Sequence, residues 1–77
     1  MKVLIYGKPG CKFCEESKIL CFENQLQFEY KQLDIDYNRG QLQELAPGFE
    51  TFPQIFIMND GFAEHVGGFN ELKEKLT

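Results

Sequence analysis

The sequence predicts an α/β fold in which three helices pack against a four-stranded mixed sheet, in the order βαβαββα. Short apolar runs bounded by turn residues alternate with segments of helical spacing along the 77 residues. A strand, a helix and a second strand come first, and such a unit normally gives two parallel strands. A tight turn then joins two further strands, which must be antiparallel, so the sheet is mixed.

The first strand and the first helix occupy the first third of the chain. Residues 2–6 are rich in β-branched and aromatic types and end at a glycine, which predicts a short buried strand. From residue 11 to about residue 25 there is no Gly or Pro, and Ile19, Phe22 and Leu26 recur at helical spacing. This segment is therefore predicted to be a helix.

The middle of the chain predicts a second strand and a short second helix. Residues 28–36 alternate imperfectly between two sides and end in apolar residues, which favours a strand. A helix is expected to begin between residues 36 and 38 and to cover residues 40–46, because Pro47 cannot continue its hydrogen bonds.

The last third predicts a hairpin and a terminal helix. Residues 53–58 and 62–66 read as two strands joined by the Asn-Asp-Gly turn at 59–61. After two consecutive glycines, residues 69–76 have helical spacing, with Asn70 available as a cap.

Size and charge limit what the protein can be. The chain is long enough for one domain, residues 1–77, because a core of this size is already marginal. A net charge of −4 without a basic block argues against a nucleic-acid partner. The N-terminus offers four consecutive apolar residues, 3–6, too few for a signal peptide or a membrane span. A cytoplasmic location without membrane attachment is expected.

Cys11 and Cys14 lie three positions apart where the first strand gives way to the first helix. A cysteine at a helix N-terminus meets free backbone N–H groups and the positive end of the helix dipole, which stabilise thiolate over thiol. Lys8 and Lys12 act in the same direction. Such thiols have pKa values of roughly 3.5 to 7.5, against about 8.5 for a free cysteine. The spacing predicts a redox pair in which Cys11 is the nucleophile and Cys14 resolves the mixed disulfide.

Zinc binding is the alternative use of such a pair, but zinc needs four ligands, usually from two C-x-x-C pairs. Only Cys21 and His65 are left as further ligands, so no metal site is predicted. Cys21 shares a helix face with Cys14 and is expected to be a buried core residue, or alternatively a regulatory thiol that traps Cys14. His65 is expected to be a surface or packing residue.

Two later segments have backbones suited to ligand binding. Pro53 opens the third strand, and a cis Phe52–Pro53 bond would free the Phe52 backbone to pair with an extended peptide, although most such bonds are trans. Gly67-Gly68 would let a ligand approach the backbone, and the helix that follows can receive a carboxylate on its free N–H groups.

Taken together, the three segments resemble those of the glutaredoxins. The C-x-x-C pair, "TFPQIF" and "HVGGF" occur in the family's order and spacing, close to its usual Thr-Val-Pro-x-Ile/Val-Phe and Ile-Gly-Gly patterns. The resemblance covers essentially the whole chain. It implies a thioredoxin-like fold, a cis Phe52–Pro53 bond, and a glutathione-dependent thiol-disulfide oxidoreductase with no tightly bound cofactor.

The resemblance also implies where glutathione binds. Lys8, helped by Gln41, would attract the glycyl carboxylate, and the Phe52 backbone would pair with the cysteinyl part. The γ-glutamyl end would reach the start of the last helix. The expected glutathione contacts are Lys8, Phe13, Gln41, Thr51, Phe52, Pro53, Gly68, Phe69 and Asn70.

The sequence departs from the family at two places. Lys12-Phe13 replaces the usual Pro-Tyr between the cysteines, which keeps an aromatic ring but loses a hydroxyl and a rigid proline. Asn70-Glu71 stands where the family usually has Asp or Thr-Asp for the γ-glutamyl ammonium. These departures concern the binding of glutathione and leave the cysteine pair itself unchanged.

The activity implied is reduction of protein disulfides and glutathione mixed disulfides by a monomer, with ribonucleotide reductase as a client. One alternative is a thioredoxin-like redoxin reduced by a flavoprotein thioredoxin reductase. Another is a metal-binding module, with zinc at Cys11, Cys14 and Cys21 or an iron–sulfur cluster bridged between two copies.

Overall fold

The computed structural model describes residues 1–77, and its elements follow the predicted order. The strands are β1 (Lys2–Gly7), β2 (Gln27–Gln32), β3 (Gln54–Asn59) and β4 (Phe62–Gly67). The helices are α1 (Lys12–Glu23), α2 (Arg39–Leu45) and α3 (Phe69–Leu76). In the sheet order β2-β1-β3-β4, β1 is parallel to β2 and the other pairs are antiparallel. The predicted mixed four-stranded sheet with three helices is confirmed.

Each face of the sheet carries its own apolar cluster, because side chains alternate along every strand. On one face, α1 contributes Cys21 and α3 contributes Leu72 to a cluster with Val3, Ile5, Ile55 and Ile57. On the other face, α2 contributes Leu42 to a cluster with Tyr6, Leu33, Tyr37, Ala46 and Phe56. The two central strands, β1 and β3, supply residues to both clusters, so helices on both sides of the sheet pack against the same two strands.

The buried side of α1 is not the one that its large apolar residues suggest. Ile19 is 55 % exposed and Phe22 is 79 % exposed, whereas Cys14, Ser17 and Cys21 are buried. The buried residues are small and repeat every three or four positions, so the helix backbone can approach the sheet closely. The spacing of Ile19 and Phe22 predicted the helix correctly but does not mark its packed face.

The second strand is shorter than predicted, ending at Gln32 instead of residue 36. Asp34 adopts a positive φ of 66°, and the Asp36 carboxylate accepts a hydrogen bond of 2.8 Å from the backbone N–H of Gln32. Gln32 O accepts hydrogen bonds from the backbone N–H groups of Ile35 and Asp36, so a turn supported by the Asp36 side chain follows the strand. The backbone N–H of Leu33 still donates to Gly7 O at 2.9 Å, and Leu33 forms an isolated bridge with Tyr37.

Tyr37 attaches this turn to the sheet, since its buried hydroxyl donates a 2.7 Å hydrogen bond to Gly7 O. Burial raises the pKa of Tyr37 to about 12. The folded protein therefore holds the phenolic proton more tightly than the unfolded chain, whose tyrosines titrate near about pH 10. The stability from this group is complete below about pH 10 and is lost as pH rises toward about 12.

We expect the free energy of unfolding in urea to fall by on the order of 2 kcal/mol across this range because of Tyr37. Tyr37→Phe should cost about 1 kcal/mol at neutral pH and lose less stability at alkaline pH. A difference between the two proteins that stays constant from neutral to alkaline pH would contradict this assignment.

Candidate active site

The cysteine pair lies at the N-terminus of α1. Cys11 is the N-cap residue, and Cys14, one turn inside the helix, is joined to it by a disulfide with Cα atoms 5.2 Å apart. Cys11 Sγ also accepts a hydrogen bond of 3.2 Å from the backbone N–H of Cys14. Cys14 is fully buried, whereas Cys11 is partly exposed. Of the two sulfurs, Cys11 Sγ is therefore the one that an incoming disulfide can reach.

A basic cavity of about 450 Å³ lies beside Cys11 and includes Lys8, Lys12 and Lys18. Lys18 pairs with Glu15 at 2.6 Å and lies 4.2 Å from the ring centroid of Tyr30. Lys8 and Lys12 have no carboxylate partner. Together with the helix N-terminus, they favour a negative charge on Cys11 Sγ when the disulfide is reduced.

The Tyr30 ring forms the far wall of this cavity and lies against Gly7. A Cβ atom at residue 7 would overlap the ring, so glycine is required where the chain leaves β1. Burial raises the pKa of Tyr30, and the nearby Lys18 lowers it by a smaller amount. The Tyr30 side chain is therefore uncharged and lines the cavity beside the lysines.

A second cavity of about 610 Å³, which we call the recognition groove, runs from the start of α1 to the start of α3. The Phe13 and Phe69 rings stack across it with centroids 5.8 Å apart. Seven of the nine predicted glutathione contacts line it, namely Phe13, Thr51, Phe52, Pro53, Gly68, Phe69 and Asn70. Lys8 lines the neighbouring basic cavity instead.

Phe52 lies between the groove and a pair of cations. The Phe52–Pro53 bond is cis, and none of the backbone hydrogen bonds of the loops and caps involves Phe52. Lys8 Nζ is 5.1 Å from the centroid of its ring, and Arg39 Cζ is 5.4 Å from it. The loop thus presents an unpaired backbone next to two positive charges.

Gln41 is the one predicted contact that lines neither the recognition groove nor the basic cavity. Its side-chain oxygen accepts a 2.8 Å hydrogen bond from the backbone N–H of Asn38, and Asn38 Oδ1 accepts one from Gln41 N. This capping box fixes the start of α2 and places Arg39, not Gln41, against Phe52. Sequence reasoning missed Arg39, although the Asn38-x-x-Gln41 spacing was a readable capping signal.

The start of α3 also differs from expectation, because Gly68 and not Asn70 is its N-cap. Glu71 Oε1 accepts a 2.7 Å hydrogen bond from the backbone N–H of Gly68. Gly67, with φ of 123°, leaves room for the Glu71 side chain, whose Cγ would lie 2.9 Å from an added Cβ. The first-turn N–H groups of Phe69 and Asn70 have no partner within the helix. Glu71 lines the groove, whereas the sequence analysis noted it as a departure from the family pattern and did not count it among the expected contacts.

The remaining ligand-type residues, Cys21 and His65, do not line the basic cavity beside Cys11, although His65 lines the recognition groove. Cys21 is fully buried, as predicted for a core residue, and burial raises the pKa of its thiol. His65 is a packing residue between Phe49 and Phe56. No group of three or more His, Cys, Asp or Glu side chains is placed to hold a metal ion. None of the helices has the length and apolar character needed to cross a membrane.

Comparison with known proteins gives a consistent result. The family model described as Glutaredoxin matches residues 3–62. Glutaredoxin 1 of Escherichia coli K12 is 32 % identical over an alignment that covers 99 % of this chain and 98 % of the relative. The hybrid peroxiredoxin hyPrx5 of Haemophilus influenzae is 33 % identical, and the match covers 94 % of this chain but only 28 % of that longer protein.

Solved structures agree with the sequence comparison. Glutaredoxin 1 of Francisella tularensis superposes with a TM-score of 0.72 at 32 % identity, covering 97 % of this chain and 91 % of that one. The Cys11–Cys14 pair at the start of α1 fits the active site of a thiol-disulfide oxidoreductase with a thioredoxin-like fold. The chain belongs to the glutaredoxin family.

Proposed function

We propose that this protein is a glutathione-dependent oxidoreductase that reduces protein disulfides and glutathione mixed disulfides. One observation carries the proposal. The partly exposed Cys11 shares a cavity with Lys8, whose Nζ lies 5.1 Å from the ring of Phe52. The unpaired backbone of Phe52 has Arg39 as a second cation nearby and lines one groove with the first residues of α3. This arrangement suits a short peptide with a central thiol and a carboxylate at each end.

The reaction proceeds by thiol–disulfide exchange. The Cys11 thiolate attacks one sulfur of the substrate disulfide, forms a mixed disulfide and releases the other half as a thiolate. Cys14 then loses its proton, attacks Cys11 Sγ and releases the second half, leaving the Cys11–Cys14 disulfide. One glutathione thiolate opens this disulfide at Cys11. A second attacks the bound glutathione sulfur, so glutathione disulfide leaves and both cysteines are reduced.

The charged groups around the groove determine the orientation in which glutathione binds. Lys8 and Arg39 attract its glycyl carboxylate, with Arg39 taking the place first expected for Gln41. The Phe52 backbone pairs with the cysteinyl residue. The N–H groups of Phe69 and Asn70 receive the γ-glutamyl carboxylate, and the Glu71 carboxylate meets the adjacent ammonium.

A coupled assay tests the electron source. The protein is mixed with a small glutathione mixed disulfide, glutathione, glutathione reductase and NADPH, and NADPH consumption is followed. We expect glutathione-dependent turnover that rises with protein concentration. A parallel reaction contains thioredoxin reductase and NADPH without glutathione. Turnover in this second reaction alone would identify a thioredoxin-like redoxin and overturn the proposal.

The paired cations should set glutathione affinity. Removing both charges in Lys8→Gln/Arg39→Gln should raise the KM for glutathione about tenfold, because two solvent-exposed charge contacts at roughly 0.2–1 kcal/mol each amount to about 1.4 kcal/mol together. Lys73→Gln/Lys75→Gln removes the same charge from the far end of α3 and is the matched control. An equal rise in both double variants would indicate a general charge effect.

The physiological setting follows from the same chemistry. A reducing cytoplasm keeps both cysteines available as thiols, so we place the protein there. We propose that it acts as a monomer of one domain, and that ribonucleotide reductase is among its disulfide clients.

A further inference from the structure

Gln54 is a polar side chain buried at the edge of the recognition groove. It is the first residue of β3, directly after Pro53, and is 1 % exposed. Burying an amide destabilises the folded state unless its N–H hydrogens donate and its oxygen accepts hydrogen bonds. Gln54 Nε2 donates to Thr51 O at 2.9 Å and to Thr51 Oγ1 at 3.1 Å, and Gln54 Oε1 lies 2.7 Å from His65 Nε2.

These bonds determine which nitrogen of His65 carries a hydrogen. Thr51 O can only accept, so the amide nitrogen of Gln54 must face Thr51 and the amide oxygen must face His65. His65 Nε2 therefore donates to Gln54 Oε1. The ring is held for this role between Phe49 and Phe56, each with a centroid 4.8 Å away.

A bulge in the hairpin brings His65 into position. Phe56 pairs with His65 while Ile55 pairs with Gly67, so Val66 is an extra residue on β4. Such a bulge redirects nearby side chains. It allows His65 to meet Gln54 while Gly67 still leads into α3.

The segment that Gln54 holds has little other support. Thr51 is exposed, and the only hydrogen bonds made by residues 50–53 are the two from Gln54 to Thr51. Thr51 directly precedes Phe52, whose backbone is unpaired. The orientation of one buried amide therefore fixes the position of the backbone that faces the substrate.

We propose that His65 is a positioning residue that acts through Gln54 to hold the Thr51–Phe52 backbone in the geometry that binds the peptide part of a disulfide substrate. This inference rests on the proposed function, because it assumes that Phe52 pairs with the substrate backbone. His65 does not touch the reacting sulfurs. It affects how well substrate binds and not how fast sulfur exchange occurs afterwards.

His65→Phe keeps an aromatic ring between Phe49 and Phe56 but removes the donor to Gln54. Gln54 Oε1 is then unpaired, and the amide is free to turn away from Thr51. We expect KM for a disulfide substrate to rise about five- to tenfold with kcat unchanged, the effect of one lost hydrogen bond. His65→Gln places an amide nitrogen near the position of Nε2 and should restore KM to within about twofold.

Two further variants separate positioning from folding. Gln54→Leu should raise KM as His65→Phe does, and the double variant should be no worse than either single one, because both break the same connection. Glu64→Gln, on the neighbouring residue of β4 and paired only with Lys75, is the matched control and should leave KM unchanged. The rate of Cys11 alkylation in reduced protein should be the same in all variants.

The measurements use two substrates, the glutathione mixed disulfide of the coupled assay and a peptide disulfide with dithiothreitol as reductant. If the wild type shows no glutathione turnover, the proposed function fails, and the peptide disulfide still tests His65. An unchanged KM for His65→Phe on both substrates would overturn the inference. So would an equal rise for His65→Gln, since restoring a donor to Gln54 would then fail to restore substrate binding. A lowered melting temperature with unchanged KM would assign His65 a purely structural role.

Discussion

Replacing Cys11 by serine should abolish glutathione-dependent turnover, whereas Cys14→Ser should keep activity on glutathione mixed disulfides. Cys11 Sγ is the accessible sulfur and the one beside Lys8 and Lys12, so no other thiol can begin the exchange. Cys14 is needed only to release a partner bound to Cys11, and a second glutathione can perform this step. Cys14→Ser should still lose the reduction of protein disulfides that require both thiols.

The coupled NADPH assay with each substrate class measures this division of roles. Cys21→Ala is the matched control, because it removes the third thiol from the buried core without changing the groove. It should be less stable but catalytically intact. Equal loss of mixed-disulfide turnover in the Cys11 and Cys14 variants would contradict the assignment of nucleophile and resolving cysteine.

Leu72→Ala should produce the largest loss of stability among the substitutions considered. The Leu72 side chain is fully buried in the core, and Leu72 is the only buried residue of α3. Truncating such a leucine costs about 2–5 kcal/mol, a large part of the stability of a domain this small. Loss of this anchor should also loosen the start of α3 and raise KM for glutathione.

Urea unfolding followed by circular dichroism measures the loss. Leu76→Ala, one turn later on the same helix and only partly buried, should cost clearly less. A similar cost for both variants would mean that α3 is attached along its length and not mainly through Leu72.

Element order could be predicted because turn signals and apolar runs are local. The Asn-Asp-Gly turn and the glycine pair gave the bounds of β3, β4 and α3 to within one residue. The buried face of α1 could not be predicted in the same way, because Cys14, Ser17 and Cys21 are selected by how closely the sheet approaches. The early end of β2 coincides with a turn over residues 32–36, in which the Asp36 carboxylate binds the backbone N–H of Gln32, and the strand pattern of the sequence does not reveal this turn.

The groove was largely predictable from the family resemblance, but its polar details were not. Gln41 and Arg39 are two positions apart, and the capping box decides which of them faces Phe52. Glu71 was expected only as a departure from the family pattern, yet it caps α3 through Gly68. The Gln54–His65 contact joins residues on different strands and needs the bulge between them, which no local pattern indicates.

The N-cap of α1, Cys11, changes its charge when the disulfide is reduced to a thiolate. The Cys14 amide donates to a sulfur that is uncharged in the disulfide and carries a negative charge when Cys11 is a free thiolate. Reduction therefore strengthens this one backbone hydrogen bond and adds a charge at the helix end. The oxidised and the reduced protein should therefore give separate NMR resonances for the amide proton of Cys14, and the ratio of their intensities should report the fraction of reduced protein without any added probe.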